Sequence, residues 1–237
     1  MKTDILTVRK FLLEGDSFLI LCHRSPDGDT LGSAFALCAG LRKLGKKAKV
    51  MCADPIPQKY SYLSYSDEDF EEKVVIAVDV ADPKLLGGLE GEFGEKVDLC
   101  IDHHPSNKDY AKITLLDGEA AATAQIIYRL LNILDIEIDK NIANCIFTGL
   151  STDTGCFKYP NVTAKTHMIA ALLYDYNINT GEINRLMFDT KSKNRLELER
   201  LVLDTAEFHF DERCMLLSVT TEIQKKTKCS GTELEGV

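Results

Sequence analysis

Apolar and polar positions along roughly the first 180 residues switch repeatedly between a strand-like and a helix-like period. Short apolar runs bounded by polar or turn residues occur at Phe18–Cys22, Lys49–Cys52, Val74–Val80 and Val97–Ile101. The run VVIAVDV is rich in β-branched residues, as strands covered on both faces tend to be. Between the first two runs, Leu31, Ala34, Phe35, Cys38 and Leu41 fall at helical spacing, and Gly45 follows the helix end. A second helix is predicted over Ala121–Leu134, with Ile126, Ile127, Leu130, Leu131 and Leu134 on one side. Two more are predicted at Lys140–Gly149 and Thr163–Tyr174, the latter with Thr163 as N-cap. Strands alternating with helices predict an α/β fold: a parallel sheet with helices on both faces.

The pattern changes after about residue 190. Lys191–Glu207 is charged and helical, with Leu198, Leu201, Val202 and Thr205 on one stripe, and reads as a connecting helix. A strand-like run from Cys214 to Val219 then opens something new. The expected organisation is a domain over 1–190, a connecting helix over 191–208 and the start of a smaller domain over 209–237.

Composition narrows the function classes. The chain has 237 residues, 45% of them hydrophobic and 27% charged, as in ordinary globular proteins. No apolar run approaches the roughly 20 residues that span a bilayer. The start, MKTDILTVRKFLLEGD, is too polar for a secretory signal, so a cytoplasmic protein is expected. The eight cysteines are scattered, with no CxxC pair, mostly inside apolar runs. They read as reduced core thiols and do not predict a sulfur-ligated zinc site. Lys plus Arg number 28 against 37 Asp plus Glu, for a formal charge of −9. A binder of long duplex nucleic acid needs a broad basic surface, which this balance does not provide. Small phosphorylated ligands remain open, because metal ions can supply positive charge locally.

Four segments place acids or histidines just after apolar runs. LILCHRSPDGDTLGSA carries His23, Asp27 and Asp29; VVIAVDVAD carries Asp79; VDLCIDHHPSN carries Asp102, His103 and His104; TGLSTDTGCF carries Asp153. Ligands of an open parallel sheet bind beyond the carboxyl ends of its strands. Three segments therefore reach one edge of the sheet, and the fourth could reach it from a helix end. Singly, each has a structural reading: Asp79 could cap a turn, and PDGD is a good turn sequence. All four in order are hard to explain as structure alone. Clustered carboxylates repel one another, and metal ions relieve that repulsion. Oxygen and imidazole donors without thiolate suit manganese or magnesium better than zinc. If there are two ions, one carboxylate must usually bridge them. His167 and His209 have no acids at ligand spacing and read as surface or packing residues.

HRSPDGDTLGSA, VDVAD, IDHHPSN and STDTGCFKYPN resemble the successive motifs of the DHH phosphoesterase family, named for the Asp102-His103-His104 triplet. The flanking residues look most like its nanoRNase/NrnA-like branch, which degrades short oligoribonucleotides and dephosphorylates 3'-phosphoadenosine 5'-phosphate. The resemblance is dense over about residues 5 to 190. It implies a pair of divalent ions, manganese before magnesium. His23, Asp27 and Asp79 would hold one ion; Asp29, Asp79, His103 and Asp153 would hold the other. His104 would contact the scissile phosphate or protonate the leaving group, and Asp102 would orient a histidine. Lys158, beside the fourth motif, could meet a substrate phosphate, although a solvated lysine is the plainer reading. Members of the family often pair, so a homodimer is consistent with the resemblance. The family's glycine-rich, histidine-ended segment near the C-terminus has no counterpart here, and the last residues, GTELEGV, resemble the beginning of the DHH-associated domain. The chain therefore reads as truncated.

Three other functions share part of this pattern. A RecJ-like single-strand exonuclease would need a basic, aromatic channel, which the acidic balance and the lack of tryptophan oppose. A manganese pyrophosphatase would use the same core. A non-enzymatic metal- or nucleotide-binding remnant would keep the ions without turnover.

Overall fold

The computed structural model describes residues 2–63, 69–229 and 234. The closing GTELEGV segment thus lies outside the described residues except for Leu234. The chain divides into two compact units, Met1–Met187 and Phe188–Val237.

The first unit is built on a five-stranded, wholly parallel sheet. Its strands are β1 (Phe18–Leu21), β2 (Ala48–Met51), β3 (Val74–Val78), β4 (Leu99–Asp102) and β5 (Ile113–Leu116), in spatial order β2-β1-β3-β4-β5. The register pairs Phe18 with Ala48 on one side and with Val74 on the other, so the carboxyl ends of β2, β1 and β3 lie close to level. The chain leaves β1 toward β2 and then returns to the far side of β1. The point of reversal between β1 and β3 is where open parallel sheets form ligand crevices.

The two faces of the sheet are covered unequally. Phe18, Ile20, Ile76, Val78, Leu99 and Ile101 face the larger core. It is closed by α1 (Ile5–Glu14), α2 (Gly28–Lys43), α4 (Thr123–Ile133) and α5 (Lys140–Asp153). Alternate residues Leu19, Leu21, Val75, Ala77 and Cys100 face a smaller core with Leu86 and Phe93. Leu86 and Phe93 come from a 3-10 segment over Pro83–Leu89 and the single turn α3 (Glu90–Phe93). Within α2, every residue from Gly28 to Leu41 is buried, so this helix is enclosed rather than laid on the surface. Glycines allow the enclosure. A Cβ on Gly32 would strike the Cys145 carbonyl of α5, and one on Gly149 would stand 2.6 Å from Ala124 and 2.7 Å from Asp29. This close approach brings the start of α2 beside the end of α5.

Several elements differ from the sequence expectations. α1, capped by the Asp4 carboxylate accepting from the Thr7 N–H at 2.8 Å, and the edge strand β5 were not anticipated. α5 runs one turn beyond the expected Gly149 and ends on Asp153. α6 (Ala164–Leu173) has Thr163 as its N-cap in a capping box with Thr166, and the short α7 (Thr180–Asn184) follows. Of the eight free cysteines, five are buried, Cys52 and Cys156 are half-buried, and Cys214 is exposed, so the core-thiol reading does not hold for all of them.

The second unit contains α8 (Lys193–Leu203), the antiparallel pair β6 (Glu207–His209) and β7 (Cys214–Leu216), and α9 (Thr221–Thr227). Leu198, Val202 and Cys229 form its buried cluster. The connecting helix expected over 191–208 is shorter than anticipated: the Thr205 hydroxyl bonds the Val202 carbonyl and accepts from the Ser218 N–H, turning the chain out of the helix. Glu207 consequently lies in a strand. Among the described residues, no helix is long and apolar enough to cross a membrane.

The packing of α2 on α5 gives a direct test. Gly32→Ala should destabilise the fold by roughly 1–3 kcal/mol in urea denaturation. Gly91→Ala, where an added methyl meets nothing within 4 Å, should be neutral or slightly stabilising. Equal midpoints for the two variants would contradict this account of the interface.

Candidate metal centre

Each candidate ligand is presented by the end of a regular element. His23 follows β1 by two residues. Asp79 directly follows β3, with a left-handed backbone (φ 61°) that turns its carboxylate toward the sheet edge. Aspartate tolerates this region better than most residues, but the strain is real. Asp102 closes β4, and His103 and His104 come next. Asp27 is the N-cap of α2, accepting from the N–H groups of Asp29 (2.9 Å) and Thr30 (3.1 Å). Asp29 lies in the first turn of α2, and Asp153 ends α5.

These groups converge. Ligand-capable atoms of His23, Asp27 and Asp79 lie within 4.8 Å of one another; so do those of Asp29, His103 and Asp153, and those of Asp79, His103 and His104. Asp79 divides its oxygens between the two sides. Its Oδ2 lies 3.7 Å from His23 Nε2, and its Oδ1 lies 3.8 Å from His103 Nε2. His23 Nε2 is also 3.5 Å from Asp27, and His103 Nε2 is 3.1 Å from Asp153 and 4.0 Å from Asp29.

Both rings are held in the tautomer a cation requires. His23 donates Nδ1–H to the Arg24 carbonyl (2.8 Å), and His103 donates Nδ1–H to the Ala120 carbonyl (3.1 Å). Each Nε2 is left facing the carboxylates. His103 Nε2 is buried, and among the described residues none of its contacts has hydrogen-bond geometry. A buried nitrogen aimed among carboxylates, 3.1 Å from the nearest, matches the usual arrangement of a metal-binding imidazole whose other nitrogen is fixed by a carbonyl. The donors are oxygen and imidazole only, a set suited to hard or borderline divalent cations.

The electrostatics favour added positive charge. Burial, and then the charges of Asp29, Asp27 and Asp153, push the Asp79 carboxyl well above its ordinary range. Burial and the Asp153 charge push Asp29 up to about 7. Burial opposes charging of the His103 ring, but Asp153 and Asp29 outweigh it and raise it to about 9. Asp27 is held low despite burial by the hydrogen bond and charge of His23. Without cations, the cluster relieves its repulsion by holding protons.

Asp102 stands apart from the three groups. It is fully buried and accepts from the backbone N–H of His103 (2.8 Å), from His104 Nδ1 (2.8 Å) and from Asn107 Nδ2 (2.6 Å). The histidine it orients is therefore His104, whereas the Ala120 carbonyl orients His103. Lys158 is exposed on the turn after Asp153, its N–H bonded to the Thr154 carbonyl. His167 is exposed and stacks on Phe157, and His209 is exposed in the second unit.

Two threonines at the site were not legible in the sequence. The Thr30 hydroxyl accepts from the His23 N–H (3.4 Å) and donates to the Val78 carbonyl (3.0 Å), joining the ends of β1 and β3. Thr123 begins α4; its N–H donates to Asp29 Oδ2 (2.6 Å) and its hydroxyl to Asp79 Oδ1 (2.8 Å). Ala124 N–H also reaches Asp29, at 2.9 Å. Thr30 follows Asp29 within the first motif but is not a ligand-type residue, Thr123 lies outside the four motifs, and their partners lie up to 94 residues away.

Comparison with known proteins agrees with this geometry. The DHH family, N-terminal domain, matches residues 17–150, and the chain belongs to that family. It is 36% identical over 199 residues to the bifunctional oligoribonuclease and PAP phosphatase NrnA of Thermus thermophilus, covering 81% of this chain and 59% of that protein. The corresponding protein of Bacillus subtilis is 27% identical over 81% of this chain and 62% of its own length. The chain thus spans about three-fifths of these relatives. A crystal structure of an exopolyphosphatase-related protein from Bacteroides fragilis superimposes with a TM-score of 0.86 at 27% identity, covering 98% of this chain and 74% of that one. A putative family II inorganic pyrophosphatase from Methanococcus jannaschii shares the fold, with a TM-score of 0.53 at 19% identity, over 89% of this chain and 75% of that one.

The raised Asp29 and His103 values carry a stability consequence. A native state that holds protons more tightly than the unfolded chain loses stability as pH rises, for Asp29 between about 4 and about 7 and for His103 between about 6.5 and about 9. In chelator, the melting temperature should fall from about pH 5 to about pH 8. Because cations replace those protons, the gain in melting temperature on adding manganese should be larger at the higher pH. A gain independent of pH would contradict this account.

Proposed function

We propose that the chain is a two-metal phosphoesterase acting on short oligoribonucleotides, 3'-phosphoadenosine 5'-phosphate or both, with manganese as the preferred ion. The observation that carries this reading is the Asp79 carboxylate, which offers one oxygen to the His23–Asp27 side and the other to the Asp29–His103–Asp153 side. In the reading, His23, Asp27 and Asp79 hold one ion, and Asp29, Asp79, His103 and Asp153 hold the second. The names of the Thermus and Bacillus relatives support the choice of substrate.

Bound divalent cations supply charge for the phosphoryl oxygens and lower the pKa of an attacking water. The protein's own groups do the rest. His104 is half-exposed, its Nδ1 bonded to buried Asp102, so Nε2 is available to a substrate at the site. From there it can donate a proton to the departing oxygen, with Asp102 fixing the orientation of the ring. Asn107 and two backbone N–H groups hold Asp102 in turn. Lys158 is exposed, and no role in the reaction is assigned to it.

The test is hydrolysis of di- to pentaribonucleotides and of 3'-phosphoadenosine 5'-phosphate with added manganese, beside pyrophosphate and a long single strand. Short oligoribonucleotides or the nucleotide should be cleaved. Turnover of pyrophosphate alone would support the pyrophosphatase reading, and tight manganese binding without turnover would support a non-enzymatic one. Asp79→Asn should lower kcat at least about a thousand-fold, as for a member of a unit that acts together. His104→Gln should lower kcat roughly 10²- to 10⁴-fold while leaving manganese affinity intact. Near-normal rates in Asp79→Asn would remove the bridging assignment.

A further inference from the structure

Asp79 can serve two cations only if its carboxylate stays rotated with one oxygen toward each side, and a carboxylate turns freely about its last bond unless something holds it. Thr123 is placed to hold it. This residue is fully buried, and its hydroxyl donates to Asp79 Oδ1 at 2.8 Å. That oxygen faces His103, at 3.8 Å, whereas Oδ2 faces His23, at 3.7 Å. Thr123 is itself fixed, because it is the first residue of α4 and its N–H is tied to Asp29 Oδ2 at 2.6 Å. One residue therefore spans two carboxylates of the His103 side, 44 and 94 positions away in the chain. On the other side Thr30 bonds the backbone at the ends of β1 and β3.

We propose that Thr123 is a positioning residue that sets the rotation of the Asp79 carboxylate and thereby selects for occupancy of the cation site on the His103 side. The proposal rests on the two-cation reading of the centre. Thr123 is fully buried and bonded to Asp79, so it acts through Asp79. Its α4 backbone holds Asp29 whatever its side chain is, so the hydroxyl and the N–H separate cleanly in a substitution. Removing the hydroxyl should release one oxygen of Asp79 while leaving Asp29, His103 and the His23 side in place.

The experiment is a manganese titration of the full chain, reading free ion by its paramagnetic resonance signal, on wild type, Thr123→Val, Thr123→Ala and Thr123→Ser. Wild type should bind two ions. The valine and alanine variants should keep one ion near wild-type affinity and bind the other about 10- to 100-fold more weakly, the usual cost of losing a group that orients a ligand. Thr123→Ser, which keeps the hydroxyl but loses the methyl, should restore both. Because alanine and serine are similar in size, a packing defect would affect both alike. Two ions bound with wild-type affinity by Thr123→Val, or serine as weak as alanine, would overturn the proposal. A wild-type chain that binds only one ion would overturn the two-cation reading beneath it.

Discussion

The centre of this protein is held together against electrostatic repulsion. Asp27, Asp29, Asp79 and Asp153 are drawn to one end of a parallel sheet, with Asp29 fully buried and Asp79 nearly so. Negative groups removed from water at this spacing cannot all remain ionised at low cost. Two kinds of partner lower that cost within the protein. Backbone and hydroxyl donors bind individual oxygens, as at Asp27, Asp29 and Asp79. Imidazole nitrogens face the carboxylates, as at His23 and His103. Neither supplies net charge comparable to that of a divalent ion.

The same constraint ties the fold to the site. α4 has Ala122 at its N-cap and therefore no side-chain cap of its own. Its first N–H groups point instead at Asp29, so a carboxylate from α2 completes the start of a helix distant in sequence. The positive end of α4 in turn stabilises that charge. Gly149 leaves the room this arrangement needs, since a methyl there would meet Asp29. Strength of the helix interface and precision of the ligand cluster are therefore two readings of one packing arrangement, with Gly32 and Gly149 as the small residues that permit it.

Much of this was legible in the sequence for identifiable reasons. VVIAV reads as a buried strand because its residues are β-branched and lie inside a sheet covered on both faces. The candidate ligands were legible because each follows an apolar run, and the topology does bring the ends of those runs together at the switch between β1 and β3. β5 escaped notice because an edge strand of four residues with partial burial carries little periodic signal. α1 buries only Val8 and Leu12, too few positions to mark a helix. Thr123 and the Ala120 carbonyl escaped for a different reason. Their roles depend on contacts across the chain, and a threonine at a helix start or a backbone oxygen has no local signature. Glu207 left its expected helix because the Thr205 side chain, not the stripe of apolar residues, decided where the chain turned.

The central claim is that Asp79 lies between two cations. Diffraction from crystals grown with manganese, recorded at the metal's absorption edge, addresses it directly. The account predicts two anomalous peaks, one beside each Asp79 oxygen and roughly 3.5–4 Å apart, with His23 Nε2 on one and His103 Nε2 on the other. A single peak, or peaks away from Asp79, would contradict it.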